Sequence, residues 1–228
     1  MFWREPGDKR AHTVPGDVVD LAFRIRCPTL PLDHAYALSA AMLEVLPWLD
    51  SEPDAGIHSV HGAASGNGWQ RPEGNDEVLH LPKRTRLYLR LPGHRLADAG
   101  ALCGETLDIN GHEMAIGEST VRPLGAASTL FARHVAVATT GGDEQEVMSQ
   151  LAAQLSEIEI AVRKLMCGMP HCIATPHGDI ATRSVMVAEL DLQDAVTLQQ
   201  KGLGPHRTVG CGLFLPHKSI AATGGAQS

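Results

Sequence analysis

No stretch of the chain approaches the roughly 20 apolar residues that span a bilayer, and its first dozen residues lack a signal peptide's apolar core. Both absences point to a cytoplasmic protein with no membrane partner. Cysteine is sparse and odd in number. Cys27, Cys103, Cys167, Cys172 and Cys211 suggest no disulfide framework and suit a reducing compartment. No Walker loop or dinucleotide fingerprint occurs in a strand–loop–helix setting. Cys167, His171, Cys172 and His177 invite a zinc reading, yet Cys-x4-Cys lacks a second spaced ligand pair. The clustered carboxylates of a metal-dependent nuclease are missing too.

Acid is also unevenly missing. The net charge is −7, but no acidic residue follows Asp194, while Lys201, Arg207 and Lys218 do. From Lys83 to Arg95 five Lys/Arg residues and His94 occur without an acid; the negative charge sits in stretches such as 50–54 and 143–159. Two basic zones on an acidic body suit a limited polyanion, or two solvated faces, better than a long nonspecific DNA track.

What is present describes a globular protein: 228 residues, 43% hydrophobic and 20% charged, enough for one large or two small domains. Val19, Leu21, Phe23 and Ile25 alternate with Asp20, Ala22, Arg24 and Arg26, a half-buried strand. Asp33 is placed to cap a helix whose Leu38, Met42, Val45, Leu46 and Leu49 share one face. Strands follow at 56–60 and 85–91, a short helix at 96–102, and a hairpin turning at Asn110-Gly111. The order β-α-β-β-α-β is ferredoxin-like. A second half repeats it: strand 130–138, helix 144–158, strands 160–165 and 180–190, a helix capped by Asp191, and a strand 209–215. The expected fold is α+β with two ferredoxin-like (RRM-like) domains, 17–124 and 125–220, between flexible segments 1–16 and 221–228. Facing first and third strands would set Arg24 and Arg26 beside Arg84, Arg86, Tyr88 and Arg90. That face suits RNA backbone and a stacked base, or packing at the cleft between the domains.

Two places carry chemistry. His34 opens the first helix, where orphan N–H groups and the helix dipole favour a phosphate and neutral imidazole. Tyr36 follows two residues on. His58 and His61 flank a strand end before the loop 62–69, in which Trp69 is placed to stack a base or pack on the core. Near the C-terminus, Gly202-x-Gly204 and Gly210-x-Gly212 surround a basic core. Such glycines expose N–H groups that wrap a phosphate, or they cap a helix before a tight turn.

That glycine loop and the Leu213-Phe214-Leu215-Pro216-His217-Lys218 after it resemble the C-terminal loop of the CRISPR repeat-processing endoribonucleases, the Cas-six family of the RAMP superfamily. Leu32-Asp33-His34-Ala35-Tyr36-Ala37-Leu38 with Leu46-Pro47-Trp48-Leu49, the stretch 62–69, and Arg84-Thr85-Arg86-Leu87 are similar to its type I Myxan branch. The similarity runs from about residue 17 to 220. It implies tandem ferredoxin-like domains and cofactor-free, metal-independent cleavage of the repeat hairpin of precursor CRISPR RNA. In such enzymes the ribose 2′-OH attacks the adjacent phosphate and leaves a 2′,3′-cyclic phosphate. On the matching position His34 carries the expected catalysis, with Tyr36 assisting and His58 or His61 as sharers or substitutes. Lys83, Arg84, Arg86 and Arg90 are expected at the RNA, as are Gly202, Gly204, Arg207, Gly210, Gly212 and Lys218. Other Cas subunits of an interference complex are implied partners. The alternative is a non-catalytic RAMP-type subunit that only holds RNA.

Overall fold

Residues 17–61, 78–125, 127–138 and 143–217 are described by the computed structural model. Segments 1–16 and 221–228, the loop 62–69 with Trp69, and Lys218 lie outside the described residues. In chain order the first half contains β1 (Val18–Arg26), β2 (Thr29–Pro31), α1 (Ala35–Val45), β3 (Gly56–Ile57), β4 (Val78–His80), β5 (Arg86–Pro92), α2 (Leu96–Ala99), β6 (Thr106–Ile109) and β7 (His112–Pro123). The second contains β8 (Thr129–Ala136), α3 (Glu144–Glu157), β9 (Lys164–Ile173), β10 (Ile180–Ala188), α4 (Leu192–Lys201) and β11 (Leu215–Pro216).

The first sheet has the order β3-β5-β1-β7-β6 and the second β11-β8-β10-β9. Without the edge strand β6, both are the same antiparallel ferredoxin-like arrangement, with one helix after the first strand and one after the third. Period-two alternation makes β1: Leu21 and Phe23 are buried against Leu38, Met42, Leu46 and Leu49. Each buried leucine there contributes about 1.5–3 kcal/mol. Asn110 and Gly111 turn β6 into β7 with φ of 51° and 82°, as a two-residue hairpin requires. The second core gathers Val147, Leu151 and Leu155 of α3 under Val185 and Val187 of β10. Asp191 caps α4, accepting from the Asp194 amide at 2.8 Å.

Three expected elements differ. The backbone at 160–163 is not a strand, although Ile160 is buried; Glu159 turns at φ 62° and β9 begins only at Lys164. The expected strand 209–215 shrinks to Leu215–Pro216, because Gly210 and Gly212 at φ 90° and 69° break extended backbone. The expected strand 56–60 pairs only over Gly56–Ile57.

Arg90 of β5 joins the halves. It is fully buried. Its Nε and Nη2 donate to Asp20 Oδ1 and Oδ2 at 2.8 and 3.0 Å, and Nη1 donates to the Gln199 and Phe214 carbonyls, both at 2.9 Å. The expectation of an RNA contact at Arg90 is therefore corrected: its donors serve the second half of the chain. Burial pushes the Asp20 carboxyl up, but hydrogen bonds from His58 and Arg90 and the Arg90 charge outweigh it and hold the group well below the usual carboxylate range.

Candidate nucleic-acid interface

The β1–β5 register sets Arg24 opposite Arg86, Ala22 opposite Tyr88 and Asp20 opposite Arg90. One sheet face thus carries all six, but its two ends differ. At the Asp20–Arg90 end the second half covers it. At the other end Arg24 and Arg84 are exposed, and Tyr88 stands 38% exposed beside the small Ala22. Arg86 is held in place by Nη1 donating to the Arg84 and Thr85 carbonyls, both at 3.2 Å. Arg24, Arg26, Lys83 and Arg86 line a shallow depression of about 430 Å³. It shares Arg86 with a cleft of about 730 Å³, which Arg84, Arg86 and Tyr88 line on one side and Phe131, Arg133 and Leu215 on the other.

Ser59, His61, Phe131 and Arg133 belong both to this cleft and to a pocket of about 300 Å³ that also holds His34, His134, His171 and Ser184. A double irregularity builds the pocket's far wall. Between Ala132 and Val135 of β8 two residues oppose the single Ser184 of β10, and between Cys167 and Pro170 of β9 two more do. Such bulges re-aim side chains, and both Arg133 and His134 line the pocket. The Thr182 hydroxyl donates to the His171 carbonyl at 3.3 Å and accepts from His134 Nδ1 at 3.1 Å, which fixes the His134 ring. Arg133 and His134 escaped the sequence reading. An Arg-His pair inside an alternating strand was the only signal, and a bulge leaves no mark on alternation.

His34 is the helix N-cap residue and is buried. Its Nδ1–H donates to the Pro31 carbonyl at 2.9 Å and its Nε2 accepts the Val60 amide at 3.1 Å, so both nitrogens hold backbone. Burial keeps its pKa below the ordinary histidine value; the Pro31 and Leu32 carbonyls and Asp33 oppose this more weakly. Asp33 does not cap the helix as expected; its carboxylate accepts from the Ala174 amide at 3.1 Å instead. Tyr36 lines two other depressions, one with Ala174 and Thr175 and one with His177 and His206, not the histidine pocket. His58 is 8% exposed, with Nε2 3.3 Å from Asp20. His61 is less enclosed and reaches both cavities. Burial, then the charges of Arg133, His34, His134 and His58, push its pKa down to about 3, so the ring is neutral near pH 7.

The glycine loop is packed against protein along most of its length. The amides of Gly202, Leu203, Gly210 and Gly212 donate to the carbonyls of Leu198, Gly212, Arg207 and His134. A Cβ on Gly210 would stand 2.6 Å from Ser59 Oγ, and one on Gly212 would overlap the Leu203 carbonyl. Arg207 donates from Nε and Nη2 to the Ala55 and Asp54 carbonyls, and from Nη1 and Nη2 to Lys201 and Gln200 at the end of α4. Burial and the nearby Arg90 push its pKa down to about 10. Arg207, expected at the RNA, therefore ties the loop to the first half, while the amides of Gly202, Gly210 and Gly212, also expected there, hold it on the second; Gly210 also borders the cleft. Among the described residues, no three His, Cys, Asp or Glu side chains converge on one point, and no helix is long and apolar enough to cross a membrane.

The Cas6 endonuclease associated with CRISPR in Myxococcus xanthus DK1622 is 28% identical over 198 residues, 87% of this chain and 81% of that protein. Among solved structures, a RAMP protein binding different RNA substrates aligns with a TM-score of 0.62 at 13% identity, over 86% of this chain and 98% of the other. A CRISPR-associated Cas6 protein gives 0.60 at 10% identity, over 89% and 100%. At these identities the structural likeness is one of fold, and it is the tandem ferredoxin-like fold described above. The sequence pattern of the Cas6 CRISPR proteins matches residues 19–219, nearly the whole chain, and the chain belongs to that family.

Proposed function

We propose that the protein is a metal-independent endoribonuclease that binds the repeat hairpin of precursor CRISPR RNA and cuts one phosphodiester in the cleft between its two halves. One observation carries the reading: a wall with Arg84, Arg86 and an open Tyr88 leads into a pocket where burial favours neutral His34 and His61 beside Arg133. The cationic wall suits a phosphate backbone and the tyrosine suits a stacked base. A neutral imidazole accepts a ribose 2′-OH proton, and a cation offsets charge on the phosphorane. The related Myxococcus protein is an endonuclease, which supports the same class of activity here.

The test incubates the protein with repeat RNA in EDTA, next to the same RNA carrying 2′-deoxyribose at the cut site. Cleavage to a 2′,3′-cyclic phosphate is expected with the first and none with the second. Cutting of the deoxy substrate, or activity abolished by EDTA, overturns the mechanism. RNA binding without cleavage selects a non-catalytic RNA-holding subunit.

A further inference from the structure

We propose that His61 is the catalytic proton acceptor of the cleavage and that His34 acts through it, as a positioning residue. The inference rests on the endoribonuclease reading above and deepens it.

Three independent contacts hold the segment that delivers His61 to the cleft. The β5 ladder carries Gly56 and Ile57 and continues with the His58 amide donating to the Tyr88 carbonyl at 3.0 Å. The glycine loop comes next: Gly210 lies so close to Ser59 that no side chain fits between them. Last, His34 Nε2 accepts the Val60 amide, and its Nδ1–H is fixed on Pro31. His61 follows immediately, at the border of the cleft and the pocket. Among the described residues, nothing hydrogen-bonds its ring. The other two histidines of the first half that are near the cleft are committed: His58 to Asp20, and His34 to two backbone groups. For His34 to take a proton at Nε2 it would have to release Val60, and with it the segment that aims His61.

In the step assigned, the 2′-OH proton passes to His61 while the 2′-oxygen bonds to phosphorus and the P–O5′ bond breaks. The 5′-oxygen takes a proton from water in the open cleft, and the hydroxide left behind is neutralised by the proton on His61. The products are a 2′,3′-cyclic phosphate and a 5′-OH. Arg133 borders the same space and faces the phosphorane charge.

Single-turnover cleavage of repeat RNA and RNA affinity are measured for the wild type, His61→Ala, His34→Ala and His34→Gln, with thermal melting as the folding check. Glutamine keeps an acceptor for the Val60 amide but cannot serve as a base at neutral pH. His61→Ala is expected to lose about 10²–10⁴-fold in kcat with RNA affinity retained. His34→Gln is expected to stay within about tenfold of wild type, and His34→Ala to fall well below it. A substrate with sulfur at the 5′-bridging position needs no acid for its leaving group, and it is expected not to rescue His61→Ala. Wild-type kcat in His61→Ala overturns the proposal. So does His34→Gln being as inactive as His34→Ala while folded and RNA-bound, since His34 would then touch the reacting atoms. Rescue by sulfur makes His61 an acid and overturns its role as acceptor. A wild-type protein that binds the RNA and never cuts overturns the endoribonuclease reading itself, and this proposal with it.

Discussion

At the scale of single residues, two arginines four positions apart on β5 have opposite duties. Arg86 borders solvent and the cleft, whereas Arg90 is fully buried on Asp20 and two carbonyls of the other half. Removing one member of a buried, hydrogen-bonded pair leaves an uncompensated charge and costs about 3–5 kcal/mol. Arg90→Ala is therefore expected to lower stability by that order in urea unfolding. Arg86→Ala is expected to leave stability within about 0.5 kcal/mol and to weaken RNA binding, with a shallower salt dependence. Period-two alternation told correctly which side of β5 these residues share. It carries no information on how far along the strand a distant segment reaches. Arg90 and Arg86 thus looked equivalent in sequence and differ in the fold. The same limit applied to His34, whose helix-start position was legible while its two backbone partners were not.

At the scale of elements, the loop from Gly202 to Gly212 is shaped by where other backbone passes. Gly204, at φ 71°, has nothing nearer than 3.6 Å to a built Cβ, so Gly204→Ala meets only the left-handed backbone strain, about 1–2 kcal/mol. Gly212→Ala adds a collision with the Leu203 carbonyl and is expected to be clearly more damaging in the same melt. Gly210→Ala pushes on Ser59 and is expected to slow cleavage more than it weakens RNA binding. Glycine spacing made positive φ legible from sequence, but Gly210 and Ser59 are far apart in the chain, and their contact exists only once the halves dock. The strands with clean alternation, β1, β5, β8 and β10, were legible for the same local reason that β9 was misplaced. Its Gly168 and Pro170 interrupt the apolar period by which a strand is recognised.

At the scale of the whole molecule, the histidines link stability to acidity. His34, His58 and His61 are all held below their ordinary pKa, His61 at about 3. The unfolded chain therefore binds more protons once the pH drops below about 6.5, and stability is lost as the pH falls from there toward 3. Asp20, also depressed, withdraws its contribution lower still, below the ordinary carboxylate value. The melting temperature is expected to decline steadily from pH 7 to pH 4. Bound RNA, whose phosphates favour protonated imidazole, should flatten that decline. A melting temperature independent of pH over this range contradicts the burial of these rings.

Arg90 also sets a schedule. The carbonyls that complete its coordination lie 109 and 124 residues further along the chain. At a synthesis rate of about 5–20 residues per second, the second of them leaves the ribosome roughly 6–25 s after the arginine does. Through that interval the first half carries a guanidinium with two donors still waiting and an uncovered sheet end around it. The nascent first half is thus least settled at the surface that will become the wall between the halves, and the cleft takes shape only after β11 has been made.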